Sequence, residues 1–121
     1  MQQKNGLNPQ TLKWYETLTQ ADIDAAYEVA TADSFGEDEQ ASGLFCSIYD
    51  ELICPWQAKV LGEVMTVVDV EQAVDDRYGI DVVIDRNGEL HRIEARSVEP
   101  LTPLPEGHLF LAAYLVWKRN L

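Results

Sequence analysis

The clearest apolar pattern in the first half of the chain has the period of an α-helix. Its members recur at helical spacing and predict one apolar stripe, made of Phe35, Ala41, Leu44, Phe45, Ile48 and Leu52. Ser34 followed three residues later by Glu37 fits a capping box, so this helix is expected to run from about residue 35 to residue 52. Cys46 is expected to pack within the helix as a small apolar side chain.

Two shorter helices are predicted before this one. Apolar and aromatic residues around Trp14 and Tyr15 indicate a short first helix. Thr19 followed by Asp22 resembles another capping box, which predicts that a second helix starts there and continues to about Ala30.

Beyond Pro55 the pattern changes to short runs rich in Val and Ile and bounded by Gly or Asp, which is typical of strands. The predicted strands are 57–61, 64–70, 80–86 and 90–98. Asn87-Gly88 predicts a tight hairpin between the last two, because a type I′ turn needs positive φ at both central residues. Gly62 is expected to turn the first hairpin.

A terminal helix is predicted after a segment rich in Pro. Pro105-Glu106 is expected to open it, and the basic pair Lys118-Arg119 to end it, where positive charge complements the helix dipole. The order of elements predicts an α+β domain with N-terminal helices, a small four- to five-stranded antiparallel barrel-like sheet and a C-terminal helix. Residues 1–121 are expected to form a single domain, with 1–9 as a flexible lead-in.

Composition narrows the class of protein. The chain has 46% hydrophobic residues and a net charge of −12, so it is a globular acidic protein rather than a disordered tail. Neither a secretory leader nor a membrane span is recognised, and a cytoplasmic protein is expected. Phosphates would be repelled, which argues against binding to nucleic acid or to an anionic membrane. A protein partner is left unknown.

The distribution of charge is the most informative chemical feature. Between Trp14 and Asp76 there are fifteen carboxylates and a single cationic side chain, Lys59. Such crowding destabilises a compact fold unless positive charge neutralises it. The neutralising charge could belong to a hard metal ion, to a basic partner, or to salt and water.

Two groups of acids are candidate ligands for a cation: the helix-start group Asp33, Glu37, Asp38 and Glu39, and the loop pair Asp75 and Asp76. Acids at a helix start also complement the dipole without any ligand, at roughly 0.3–1 kcal/mol each. The helix-start group exceeds what capping needs, however, and calcium prefers such oxygen ligands. Folding that joined the helix start to the loop between two strands would create a composite site.

Other chemistries find little support in the sequence. The stretch of sequence most similar to an EF-hand calcium loop has Tyr27 at the position where that loop requires Gly. His91 and His108 have no nucleophile motif near them, and zinc would need Cys and His clusters. No enzymatic function is therefore expected.

The segment 33–44, DSFGEDEQASGL, followed by 49–60, YDELICPWQAKV, resembles the CcbP-like family of small acidic bacterial calcium-binding proteins. The resemblance extends over roughly residues 33–70, about a third of the chain. It implies calcium (Ca²⁺) binding outside any EF-hand, in a cytoplasmic buffer or sequestering protein. It carries over Asp33, Glu37, Asp38 and Glu39 as metal ligands, whereas Asp75 and Asp76 rest on charge and loop placement alone.

Three hypotheses follow. The first is a non-enzymatic calcium-binding protein with one or two carboxylate sites. The alternative is an acidic interaction module that docks a basic protein surface or mimics DNA. The third is an acidic, solubilising surface on a protein whose function lies in an unrelated pocket.

Overall fold

Three α-helices lie beside one antiparallel sheet in this computed structural model, which describes residues 13–121. The bounds are α1 Gln20–Ala30, α2 Glu37–Glu51, β1 Trp56–Val60, β2 Glu63–Gln72, β3 Ile80–Arg86, β4 Glu89–Glu94, β5 Glu99–Pro100 and α3 His108–Arg119. The predicted α+β class is confirmed. The predicted flexible lead-in, residues 1–9, lies outside the described residues. None of the helices within 13–121 is long and apolar enough to span a membrane.

The sheet is an open meander with the strand order β4-β3-β2-β1-β5. All its pairs are antiparallel, but within the described residues β4 and β5 remain edges, so the sheet does not close into a barrel. The last predicted strand, 90–98, is divided in two. A 3-10 turn, Ala95–Ser97, ends β4 early and leads the chain to the opposite edge, where Glu99 pairs with Lys59 of β1.

Both predicted hairpins are present. Asn87 and Gly88 have φ values of 55° and 89°, as a two-residue turn of this type requires. Leu61 and Gly62 repeat the arrangement with 51° and 81°. These turns join β3 to β4 and β1 to β2, so local sequence accounts for most of the meander.

The core lies between the helices and one face of the sheet. Helices α1 and α2 both pack on α3, and α2 also contacts β2. Leu44 and Ile48 of α2 are completely buried, in agreement with the predicted apolar stripe. From the sheet, Val67, Val82 and Ile84 meet them with no exposed surface.

The start of α2 differs from the sequence prediction. Its N-cap is Gly36 at φ 88°, and the predicted capping box of Ser34 and Glu37 does not form. Instead a Glu39 carboxylate oxygen accepts a hydrogen bond from the Phe35 backbone N–H at 2.8 Å. Because the helix begins after it, Phe35 falls outside the apolar stripe and is 85% exposed.

Smaller differences concern other helix ends and one cysteine. The predicted first helix is a 3-10 turn at Trp14–Thr17. Thr19 is the N-cap of α1, as expected, but its side chain makes no capping hydrogen bond. Helix α3 begins at His108, after Gly107 with φ 89°, rather than at residues 105–106. Cys46 is exposed, because it lies on the outer face of α2.

Gly43→Ala is expected to destabilise the protein at the contact between α1 and α2. A Cβ on Gly43 would lie 2.2 Å from the carbonyl oxygen of Ala30, which is backbone and cannot rotate away. Such overpacking costs about 1–3 kcal/mol, which exceeds the roughly 1 kcal/mol gained from helix propensity. Thermal unfolding measures the effect, with the neighbouring Ser42→Ala as control. An unchanged or higher Tm for Gly43→Ala would contradict the close approach.

Candidate cation site at the start of helix α2

The loop between β2 and β3 folds back on itself. The Ala73 N–H donates to the Gly79 carbonyl at 2.9 Å, and the Gly79 N–H donates to the Asp76 carbonyl at 3.0 Å. The Tyr78 N–H donates to Asp76 Oδ1 at 3.1 Å. A Cβ at Gly79 would lie 2.8 Å from that of Asp76, so this position requires glycine. These contacts hold Asp76 in one orientation.

Helix α3 supports this loop from beneath. The hydroxyl of Tyr114 donates to the Tyr78 carbonyl at 2.9 Å and accepts the Ile80 N–H at 3.0 Å. Burial raises the pKa of Tyr114 well above its usual range. One turn further along α3, Lys118 Nζ lies 2.6 Å from Asp76 Oδ2. The loop is therefore attached to α3 at its backbone and at a carboxylate.

Tyr114→Phe is expected to destabilise the protein by about 1–3 kcal/mol, because the substitution leaves a buried backbone N–H and a carbonyl without their partner. Urea unfolding measures this loss, and amide exchange at Ile80 should become faster. Tyr49→Phe is the control, since Tyr49 is 59% exposed. Stability within about 0.5 kcal/mol of the native protein would contradict a structural role for the hydroxyl.

The start of α2 lies against the same loop. Asp38 Oδ1 accepts a hydrogen bond from the Tyr78 hydroxyl at 2.5 Å, and Oδ2 accepts one from Arg77 Nη2 at 2.8 Å. Behind them, the Trp117 indole N–H donates to Gln40 Oε1 at 2.9 Å, and Trp117 packs edge-to-face on the Tyr78 ring at 5.6 Å. Helix start, loop and α3 thus meet around Tyr78.

These contacts shift the pKa values of the groups involved. The hydrogen bond from Tyr78, followed by the charge of Arg77, lowers the pKa of Asp38. The same bond raises the pKa of Tyr78, and the nearby charge of Glu37 raises it further. The hydrogen bond from Lys118 is the main cause of the lowered pKa of Asp76. Both aspartates are therefore ionised at neutral pH.

The six predicted ligands occupy different positions in this arrangement. Asp38 and Asp76 lie on either side of residues 77–78 and are joined through them. Glu37 lies in the first turn of α2, next to Asp38, and Glu39 turns back toward Phe35. The other two predicted ligands, Asp33 and Asp75, are exposed and make no side-chain hydrogen bond within residues 13–121.

The cations at this site were missed by the sequence prediction, which counted only Lys59 in the acidic region. Arg77 lies 39 residues from Asp38, and Lys118 lies 42 residues from Asp76. The one sequence signal was the position of Arg77 directly after Asp75-Asp76. Part of the repulsion among the acids is therefore relieved by the protein itself.

Carboxylate oxygens are suitable ligands for a hard cation. In this structure, however, the carboxylates of Asp38 and Asp76 form ion pairs with Arg77 and Lys118. As the side chains stand, no three Asp, Glu, His or Cys residues within 13–121 are grouped closely enough to hold a metal ion. Arg77 and Asp38 have side chains 73% and 65% exposed, so their ion pair is solvated and weak. Rotation of Arg77 away from Asp38 would free an aspartate between Glu37 and the loop.

Comparison with known proteins supports the fold. No protein-family model matches the chain, and no curated protein matches it either. Among solved structures, the crystal structure of Anabaena CcbP matches with a TM-score of 0.67 at 15% sequence identity. The match covers 84% of this chain and 92% of that one. The resemblance predicted from residues 33–70 is confirmed at the level of the fold.

Proposed function

We propose that this protein is a non-enzymatic calcium-binding protein that buffers or sequesters calcium in the cytoplasm. The observation that carries the proposal is the contact of the acidic start of α2 with the acidic loop 73–79 through Asp38. The resemblance of residues 33–70 to the CcbP-like family, together with the CcbP fold, supports calcium as the ion. The proposed ligands are Asp33, Glu37, Asp38, Glu39, Asp75 and Asp76.

The charge balance of this region favours a divalent cation. Six proposed ligand carboxylates face two protein cations, Arg77 and Lys118, so a marked excess of negative charge remains. Calcium accepts six to eight oxygen ligands in flexible geometry, which suits side chains from a helix start and a loop. Magnesium demands a tight octahedron and keeps its waters, so it should compete poorly.

Three groups of residues would have different roles in calcium binding. Asp38 and its neighbours on α2 supply exposed carboxylates that can turn toward an ion. Hydrogen bonds within the loop and to Tyr114 hold the backbone that carries Asp75 and Asp76. Arg77 neutralises Asp38 when no ion is bound and has to leave it for calcium to bind.

Calorimetric titration of metal-free protein with calcium, and separately with magnesium, tests the proposal. We expect calcium dissociation constants on the order of 10⁻⁷–10⁻⁵ M, the range of sensor sites, with magnesium much weaker. No heat up to about 10⁻⁴ M calcium would refute calcium binding. An acidic interaction module would give that negative result while retaining affinity for a basic protein.

Arg77→Gln is expected to increase calcium affinity. The substitution removes a positive charge that competes with the ion for Asp38, and a unit charge a few ångströms away changes affinity by roughly 2- to 10-fold in a solvated setting. Arg86→Gln is the matched control, because Arg86 forms a similar exposed pair with Glu63 on the β1–β2 hairpin. Equal calcium affinities for the two variants would contradict competition by Arg77.

A further inference from the structure

A second charged feature has the opposite sign and shares no residue with the start of α2 or the loop 73–79. Six of the eight Lys and Arg side chains within residues 13–121 form ion pairs with Asp or Glu. Lys13 and Lys59 form none with any described residue. Residues 1–12 contain no Asp or Glu that could serve instead. Two lysines thus lack a carboxylate partner in a chain with a net charge of −12.

Both of these lysines line the same cavity. It has a volume of about 490 Å³ and lies between the N-terminal 3-10 turn, the β1–β2 hairpin and the segment that joins β4 to β5. Arg96 also lines it, although its guanidinium is paired with Glu94. Three cations therefore converge on one cavity in a protein whose surface is otherwise dominated by carboxylates.

The remaining walls suit a small ligand. Trp14 contributes a half-buried indole ring, and Ser97 contributes a hydroxyl that makes no hydrogen bond within residues 13–121. One carboxylate, Glu99, opposes the cations, since it is the cross-strand neighbour of Lys59. Yet Glu99 does not form an ion pair with that lysine. With Arg96 neutralised by Glu94, Lys13 and Lys59 face this single carboxylate, so the lining keeps one net positive charge.

We propose that this cavity binds a small, multiply charged phosphate compound. Lysine and arginine are the usual ligands of phosphate oxygens, and attraction grows with the charge on the ligand, so a polyphosphate gains more than a monocarboxylate. The volume is within the roughly 300–1,000 Å³ typical of small-molecule sites. The carboxylates beside the cavity, Glu94 and Glu16, are paired with Arg96 and Arg119. Carboxylates farther away are screened beyond about 8 Å at physiological ionic strength, so Lys13 and Lys59 keep the local charge positive.

Calorimetric titration with inorganic tripolyphosphate and with ATP, in metal-free buffer at 0.15 M salt, tests the proposal. Metal-free conditions keep calcium out of the assay, so the result is independent of the proposed calcium site. Both probes are expected to bind to the native protein. If ATP binds at least about tenfold more tightly than tripolyphosphate, its adenine ring makes additional contacts, and Trp14 is the aromatic side chain that lines the cavity. Equal affinities would assign binding to the phosphates alone.

Lys59→Gln and Lys13→Gln are each expected to weaken tripolyphosphate binding by at least about tenfold. Arg86→Gln removes the same charge from a side chain that does not line this cavity, and it should change binding less than twofold. No binding of either probe at millimolar concentration would overturn the proposal. A loss in Arg86→Gln as large as that in Lys59→Gln would also overturn it, because only net charge would then matter.

Discussion

Asp38→Asn is expected to weaken calcium binding by about 10- to 100-fold, the range seen when a group that holds or orients a metal ligand is removed. Asp38 is the one proposed ligand that contacts the acidic loop through both carboxylate oxygens. Asparagine keeps the size of the side chain and one oxygen but loses the charge, and calcium affinity depends on the number of charged ligands. Calorimetry on metal-free protein measures the effect.

Asp22→Asn is the matched control for this substitution. Asp22 is an exposed acid in the first turn of α1, so its change removes the same unit of charge and the same type of dipole interaction. Calcium affinity should fall less than about twofold in this variant, because one distant charge among twenty-one is largely screened. Equal losses in the two variants would show that calcium responds to net charge rather than to a site at Asp38.

Leu44→Ala is expected to lower the free energy of unfolding by about 2–5 kcal/mol, the largest effect on stability that we predict. Leu44 is completely buried on the inner face of α2, where loss of its isobutyl group leaves a cavity. Urea unfolding measures the change. Leu90→Ala is the control, since Leu90 on the edge strand β4 is 65% exposed and should lose far less.

Leu44→Ala also separates stability from binding. Leu44 faces the core, whereas the acids at the start of α2 are exposed, so calcium affinity of the folded variant should stay within about twofold of native. A loss of less than about 1 kcal/mol would contradict the burial of Leu44. A large loss of calcium affinity without unfolding would indicate that core packing shapes the site.

Features governed by neighbours in the sequence were predicted well. The apolar stripe of α2 and the Asn87-Gly88 turn depend on side-chain periodicity and on local φ preferences, and both are observed. The capping box at Ser34 failed although its spacing was correct. Gly36, with positive φ, delays the helix, and Glu39 takes the role assigned to Glu37.

The candidate site was also predicted only in part. Two acidic groups, one at the helix start and one in the β2–β3 loop, were identified from sequence as the elements of a composite site. Their engagement by Arg77 and Lys118 was not foreseen, because charge density counted along the chain takes no account of residues about 40 positions away. The pairing of Lys118 with Asp76 requires α3 and the loop to be packed together, which the contacts of Tyr114 and Trp117 with Tyr78 bring about.

The acidic character, the α+β class, the two hairpins and the buried face of α2 can all be derived from the sequence, because each follows from composition or from residues a few positions apart. Which charges meet depends on the packing of the folded chain. Coulomb energy depends on distance in space. Folding alone brings Asp38 to Arg77, Asp76 to Lys118, and two lysines without an ion pair among residues 13–121 to one cavity.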